Sequence, residues 1–112
     1  MIKVSMCAKN IIYKGVAAHA GGAPWAGKNA LYAATTGISA ANAVRETFKD
    51  TDLIRFHPII TKGGDMVNAI PETVKMETYI RGGTVEAILR ENAKINRAAA
   101  ASALAIGANL EY

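Results

Sequence analysis

The stretch from Thr73 to Arg81 restricts the fold of this chain more than any other. Val74, Met76, Thr78 and Ile80 alternate there with Lys75, Glu77, Tyr79 and Arg81. A period of two places the first set against a core and the second in solvent, so this is a strand buried on one face. One buried face asks for one covering layer, and two stretches of helical period can supply it. Leu31, Ala34, Ile38, Ala41, Val44 and Phe48 form an apolar stripe from about Lys28 onward, ended by Lys49-Asp50-Thr51-Asp52. Val85, Ile88, Leu89, Ile95, Ala99 and Ala103 form a second, with Thr84 as N-cap and Gly107 just past the end.

The remaining segments complete the order. Ile2, Val4 and Met6 alternate with Lys3 and Ser5, and Ile11, Ile12 and Tyr13 follow; Lys9-Asn10 reads equally as a turn or as the middle of one long strand. Gly15, Gly21, Gly22, Pro24 and Gly27 mark a loop. A second strand is expected from about Leu53 to Thr61, with Pro58 making it an edge or bulged strand. Asn109 to Tyr112 read as the opening of a further strand. Strand, helix, strand, strand, helix, strand is the split β-α-β-β-α-β arrangement. The expected class is α+β and ferredoxin-like: an antiparallel four-stranded sheet with two helices on one face and the other face bare.

At 112 residues the chain suits one domain. A hydrophobic share of 51% excludes a disordered tail, and no apolar run approaches the roughly 20 residues of a membrane helix. The formal charge of +4 comes from scattered basic residues, the pattern of a solvated surface and not of a nucleic-acid site. One cysteine, Cys7, excludes a disulfide framework, agrees with a cytoplasmic protein, and reads as an inert buried thiol in its strand.

No His, Cys, Asp and Glu set has metal-ligand spacing, and there is no nucleophile elbow or phosphate loop. Three polar residues are placed where chemistry is possible. His19 lies where the first strand meets the glycine-rich loop, although a strand-end histidine commonly just bonds a carbonyl. Asn68 lies in the loop Met66 to Pro71, where asparagine usually bonds its own backbone. Arg81 projects from the helix-free face, where most arginines are only solvated. Together an imidazole, a carboxamide and a guanidinium make a donor set suited to a carboxylate or an oxyanion.

Tyr13-Lys14-Gly15-Val16-Ala17-Ala18-His19-Ala20-Gly21-Gly22-Ala23-Pro24-Trp25-Ala26-Gly27-Lys28-Asn29-Ala30-Leu31 resembles the lid of M20-family metallopeptidases, with its G-x-x-x-H-A strand end and G-x-N-A helix start. Gly63-Gly64-Asp65-Met66-Val67-Asn68-Ala69-Ile70-Pro71 resembles that family's G-G-x-x-x-N-x-x-P loop, and Tyr79-Ile80-Arg81-Gly82 its hydrophobic-Arg strand end. The three motifs occur in order over nearly the whole chain, and the aminoacylase-like branch, which includes aminobenzoyl-glutamate hydrolases, looks nearest. The resemblance implies a ferredoxin-like lid inserted in a larger catalytic domain that holds two zinc ions, with none in this fragment. It implies a homodimer formed through the lid by edge-strand and helix contacts. It also implies a catalytic role for His19, donating to the scissile carbonyl oxygen in the active site of the partner protomer. Substrate binding is implied for Asn68 and for Arg81, the latter at the substrate carboxylate. Residues 1–112 are accordingly expected to be a single lid and dimerisation domain excised from a zinc-dependent amidohydrolase or exopeptidase, inactive alone. Its substrates would be N-acyl amino acids or short peptides with a free carboxylate. Neither nucleic acid nor membrane is an expected partner.

A stand-alone ferredoxin-like module that binds a small ligand or only dimerises is the alternative, since this fold hosts many functions. RNA binding on the open sheet needs exposed aromatics, and strand 73–81 offers only Tyr79.

Overall fold

The computed structural model describes residues 5–112; Ile2, Lys3 and Val4, expected to open the first strand, lie outside them. Strand β1 (Ser5–Lys14) runs unbroken through Lys9-Asn10, which settles that alternative in favour of one long strand. Helix α1 (Ala30–Val44) follows, then β2 (Arg55–Phe56), β3 (Ile59–Lys62), β4 (Thr73–Gly82), helix α2 (Val85–Ile106) and β5 (Asn109–Glu111). The sheet is antiparallel throughout, in the order β2-β4-β1-β5, with β3 also paired to β4.

The expected edge strand is thus present as two segments. Pro58 has no N–H to give to a ladder, and the strand parts at His57-Pro58 before resuming at Ile59. Leu53, expected to start that strand, instead has φ +55° and closes a short 3₁₀ turn. The expected four strands therefore become five, in the same topology.

The β4 alternation is realised as read: Val74, Met76, Thr78 and Ile80 are buried, while Lys75, Glu77 and Arg81 are exposed and Tyr79 is half-buried. Ile11 and Tyr13 of β1 join Val74 and Met76 under Ala30, Ala33 and Ala34 of α1 and Ala99 and Ala103 of α2. Phe56, Ile80, Ile88 and Ile95 form the other half of the core. Burying each of these large side chains contributes about 1.5–3 kcal/mol.

The helix faces differ in detail from the periodicity. In α1 the buried line is Ala30, Ala33, Ala34, Gly37 and Ala41, and Leu31, Ile38 and Val44 are only half-buried. Small residues allow α1 to approach α2 and β1 closely, which moves the larger ones to the flanks. In α2 the periodicity puts Val85 and Leu89 on the buried side, yet both are exposed; Ala87, Glu91 and Ser102 are buried instead. Thr84 caps the helix by accepting from the Ala87 N–H at 3.1 Å, and Gly107 ends it at φ +82°. Cys7, read as buried, is exposed. Its phase on β1 faces the helix layer, but it lies toward the start of the strand and belongs to neither core cluster, whereas Ile11 and Tyr13 farther along are packed.

Candidate functional site

Past the last regular pair, Lys14 with Thr73, the β1–β4 ladder continues in irregular form. Gly15 N–H donates to the Glu72 carbonyl at 2.7 Å, Ile70 N–H to Ala18 at 2.8 Å and Ala20 N–H to Asn68 at 3.0 Å. Val16 and Lys28 exchange backbone hydrogen bonds beside it at 3.0 and 2.9 Å. The chain can pass this closely because residue 15 has no side chain; a Cβ there would collide with the Lys28 carbonyl oxygen. The ribbon carries the polypeptide beyond the core to an exposed tip, where His19 bridges to Ala69.

At that tip His19 Nδ1 accepts the Gly22 N–H at 2.9 Å, and the His19 carbonyl accepts from Ala23 at 3.0 Å. A neutral imidazole has one donor and one acceptor nitrogen. With Nδ1 engaged as acceptor, Nε2 carries the hydrogen and is left as an exposed donor. His19 and Asn68 line one shallow groove of about 300 Å³ with Ala17, Ala18, Met66 and Ala69. Met66, which lines the groove, is 64% exposed, and Val67, between Met66 and Asn68, is fully so.

Arg81 is not part of this groove. It projects from the helix-free face, opposite Met6 of β1 and Arg55 of β2, with its guanidinium 5.9 Å from the Tyr79 ring centre. From Thr73, at the tip end, to Arg81 the strand advances about 26 Å at roughly 3.3 Å per residue. The three sequence-selected residues therefore form two groups at opposite ends of β4. His19 and Asn68 meet; Arg81 does not join them within one chain. His57, exposed after Phe56, has its ring 6.2 Å from that of Tyr79.

Sequence reasoning missed Gly22, whose N–H sets the imidazole. A histidine followed three residues later by glycine was the available signal. It also missed Arg55, whose neighbour on β4 becomes known only with the register.

Among the described residues, no three His, Cys, Asp or Glu side chains come together as a metal site. The zinc ions implied by the resemblance find no donor set here, and His19 presents a hydrogen outward where a ligand would present a lone pair. No helix among the described residues is long and apolar enough to cross a membrane.

The family model for the M20 peptidase dimerisation domain matches residues 5–105. The chain belongs to that family. Xaa-Arg dipeptidase of Mus musculus is 33% identical to the domain over 99 residues, covering 88% of it but 22% of the dipeptidase. A p-aminobenzoyl-glutamate hydrolase homolog of Haemophilus influenzae is 34% identical over 73 residues, 65% of this chain and 17% of that protein. The domain thus spans about a fifth of the length of the curated relatives it matches. In fold it is similar to an aminobenzoyl-glutamate utilization protein from Klebsiella pneumoniae, with a TM-score of 0.85 at 23% identity, over 96% of this chain and 27% of that one. A hydantoinase/carbamoylase family amidase from Burkholderia ambifaria aligns with a TM-score of 0.81 at 20% identity, covering 96% and 27% of the two chains. The domain is therefore a peptidase dimerisation domain by family, and it shares its fold with these two solved structures.

Proposed function

We propose that residues 1–112 are the single lid and dimerisation domain of a metal-dependent amidohydrolase or exopeptidase, acting as a homodimer on N-acyl amino acids or short peptides with a free carboxylate. The observation that carries this reading is the set of His19 in a dimerisation domain of this family: Gly22 holds Nδ1, so Nε2–H points outward beside Asn68. A fixed N–H donor is suited to the oxygen of a scissile amide as negative charge develops on it. The Asn68 carboxamide, in the same groove, can hold a polar group of the substrate, and Arg81 can take its carboxylate through paired N–H donors.

The separation of about 26 Å along β4 adds a condition to this reading. A substrate the size of an acylated amino acid cannot reach from His19 to Arg81 of one chain. We therefore propose that one active site takes His19 and Asn68 from one protomer and Arg81 from the other, so that neither lid completes a site alone. The exposed apolar side chains of Met66 and Val67 beside Asn68 support docking of the tip against another surface, since solvent alone would not favour their exposure. Metals and general base would come from the rest of the polypeptide, and the unpaired thiol Cys7 is consistent with a cytoplasmic setting.

The decisive measurement is made on the full-length enzyme. His19→Ala is expected to lower kcat by about 10²–10³-fold, the effect of deleting one oxyanion donor, with a far smaller change in KM and in metal content. An unchanged kcat would remove His19 from the mechanism.

A further inference from the structure

The register of β2 on β4 sets Arg55 directly opposite Arg81. Facing residues of an antiparallel pair lie on the same side of the sheet with Cβ atoms about 4.5–5.5 Å apart. Both arginines are exposed on the helix-free face, while the next residue, Phe56, turns inward to the core. Two like charges directly opposite each other destabilise a sheet, and among the described residues no acid forms an ion pair with either. The nearest acid on that face of β4, Glu77, lies about 13 Å from Arg81 along the strand. The other facing cationic pair, Lys62 and Lys75, differs in that it sits at a register shift and has Glu77 two residues along. The Arg81 guanidinium lies 5.9 Å from the centre of the Tyr79 ring, two residues back on the same face, and the tilted His57 ring is 6.2 Å from that centre. Two guanidinium groups without an acidic partner, on facing residues of one sheet face, suit a ligand with two anionic oxygen centres held a few ångströms apart.

We propose that Arg55 and Arg81 together bind a dicarboxylate, and that Arg55 makes the enzyme select substrates ending in an acidic amino acid. The inference rests on the reading of Arg81 as the carboxylate-binding residue: Arg81 takes the α-carboxylate and Arg55 the side-chain carboxylate of a glutamyl or aspartyl end group. A basic end group would instead bring a third cation against the pair.

The 112-residue chain can be titrated with N-acetyl-L-glutamate and with N-acetyl-L-glutamine, which match in shape and differ by one charge. The readouts are the arginine Nε–H and Tyr79 ring resonances. The glutamate compound is expected to bind about tenfold more tightly, the scale of one added charge-assisted pair. Arg55→Gln should reduce its affinity to that of the glutamine compound and leave the latter unchanged. Arg81→Gln should weaken both ligands. Lys75→Gln removes the same charge from the same face and should leave the preference intact. If both ligands bind equally to the unsubstituted chain, or if Arg55→Gln keeps the tenfold preference, the pair is overturned while Arg81 stands. If Lys75→Gln erases the preference, it is a general charge effect and the proposal fails. If neither ligand perturbs Arg81, the pair falls, and the carboxylate reading is decided separately by Arg81→Gln in the full-length enzyme, where an unchanged KM would remove it.

Discussion

Gly37 shows how tightly single atoms are set in this domain. It faces the contact between α1, β1 and α2, and a Cβ there would overlap the Tyr13 hydroxyl and lie 2.9 Å from Ser102 Oγ. Those two oxygens hydrogen-bond each other at 3.0 Å in a fully buried site, and burial pushes the Tyr13 phenol above its ordinary value despite that bond. Alanine at 37 would gain about 1 kcal/mol in helix propensity. It would also overpack the contact, at about 1–3 kcal/mol, and strain a buried hydrogen bond of comparable worth. Gly37→Ala should therefore lower the urea midpoint with no change in m-value; a stabilised variant would mean that the helices can separate freely. At this scale the sequence was legible where a local period decides orientation. The outward phase of Arg81 follows from β4 alone, as does the inward phase of Ile80. Cys7 and Gly37 were not legible, because their surroundings come from elements far along the chain.

Helix α2 carries its most expensive residue inside. Glu91 is 1% exposed and is paired with Lys94 at 2.9 Å and Arg90 at 3.1 Å, while Arg90 also reaches Asp52 beside the start of the helix. Burial alone would raise the Glu91 carboxyl, but hydrogen bonds and charge from Lys94 and Arg90 outweigh it and hold it below the ordinary 4.5. A carboxyl lowered in the folded state stabilises the fold fully above the unfolded value and loses that contribution as pH falls through the folded one. Glu91→Gln should cost about 1–3 kcal/mol at pH 7. The gap between variant and parent should narrow below about pH 4.5, as followed by urea unfolding at several pH values. A gap independent of pH would show that packing, not charge, is what Glu91 supplies. No periodicity argument placed a glutamate in this core, since its justification lies in Lys94 one turn on and in the adjoining Arg90. The element itself was legible, with Thr84 and Gly107 marking both ends. The parting of β2 from β3 was legible only as a warning at Pro58, because its outcome depends on which neighbour the strand loses.

Across the whole molecule, the two sheet edges are unlike. On one side, Pro58 and the register shift between Ile60 and Lys62 interrupt β2 and β3, a form that discourages pairing with another strand. On the other, β5 covers β1 only at Ile12–Lys14, so the residues from Met6 to Ile11 have one side open. Helix α2, which packs over β1 and β5, exposes Val85 at 59%, Leu89 at 63% and Leu104 at 82%. These three fall within an arc of about 100° on the helix. Open backbone groups beside a helix that exposes these three apolar side chains are what a second copy could cover, with strand joining strand and helix meeting helix. The chain should therefore sediment with a mass that rises from monomer to dimer across the micromolar range. The double variant Leu89→Glu, Leu104→Glu changes only exposed side chains, so it should keep the circular dichroism of the parent and remain monomeric. If instead the unsubstituted chain is a monomer at every concentration, the open edge and the helix face are insufficient for association. The two-chain assembly of His19, Asn68 and Arg81 would then have to be held together by contacts outside these 112 residues.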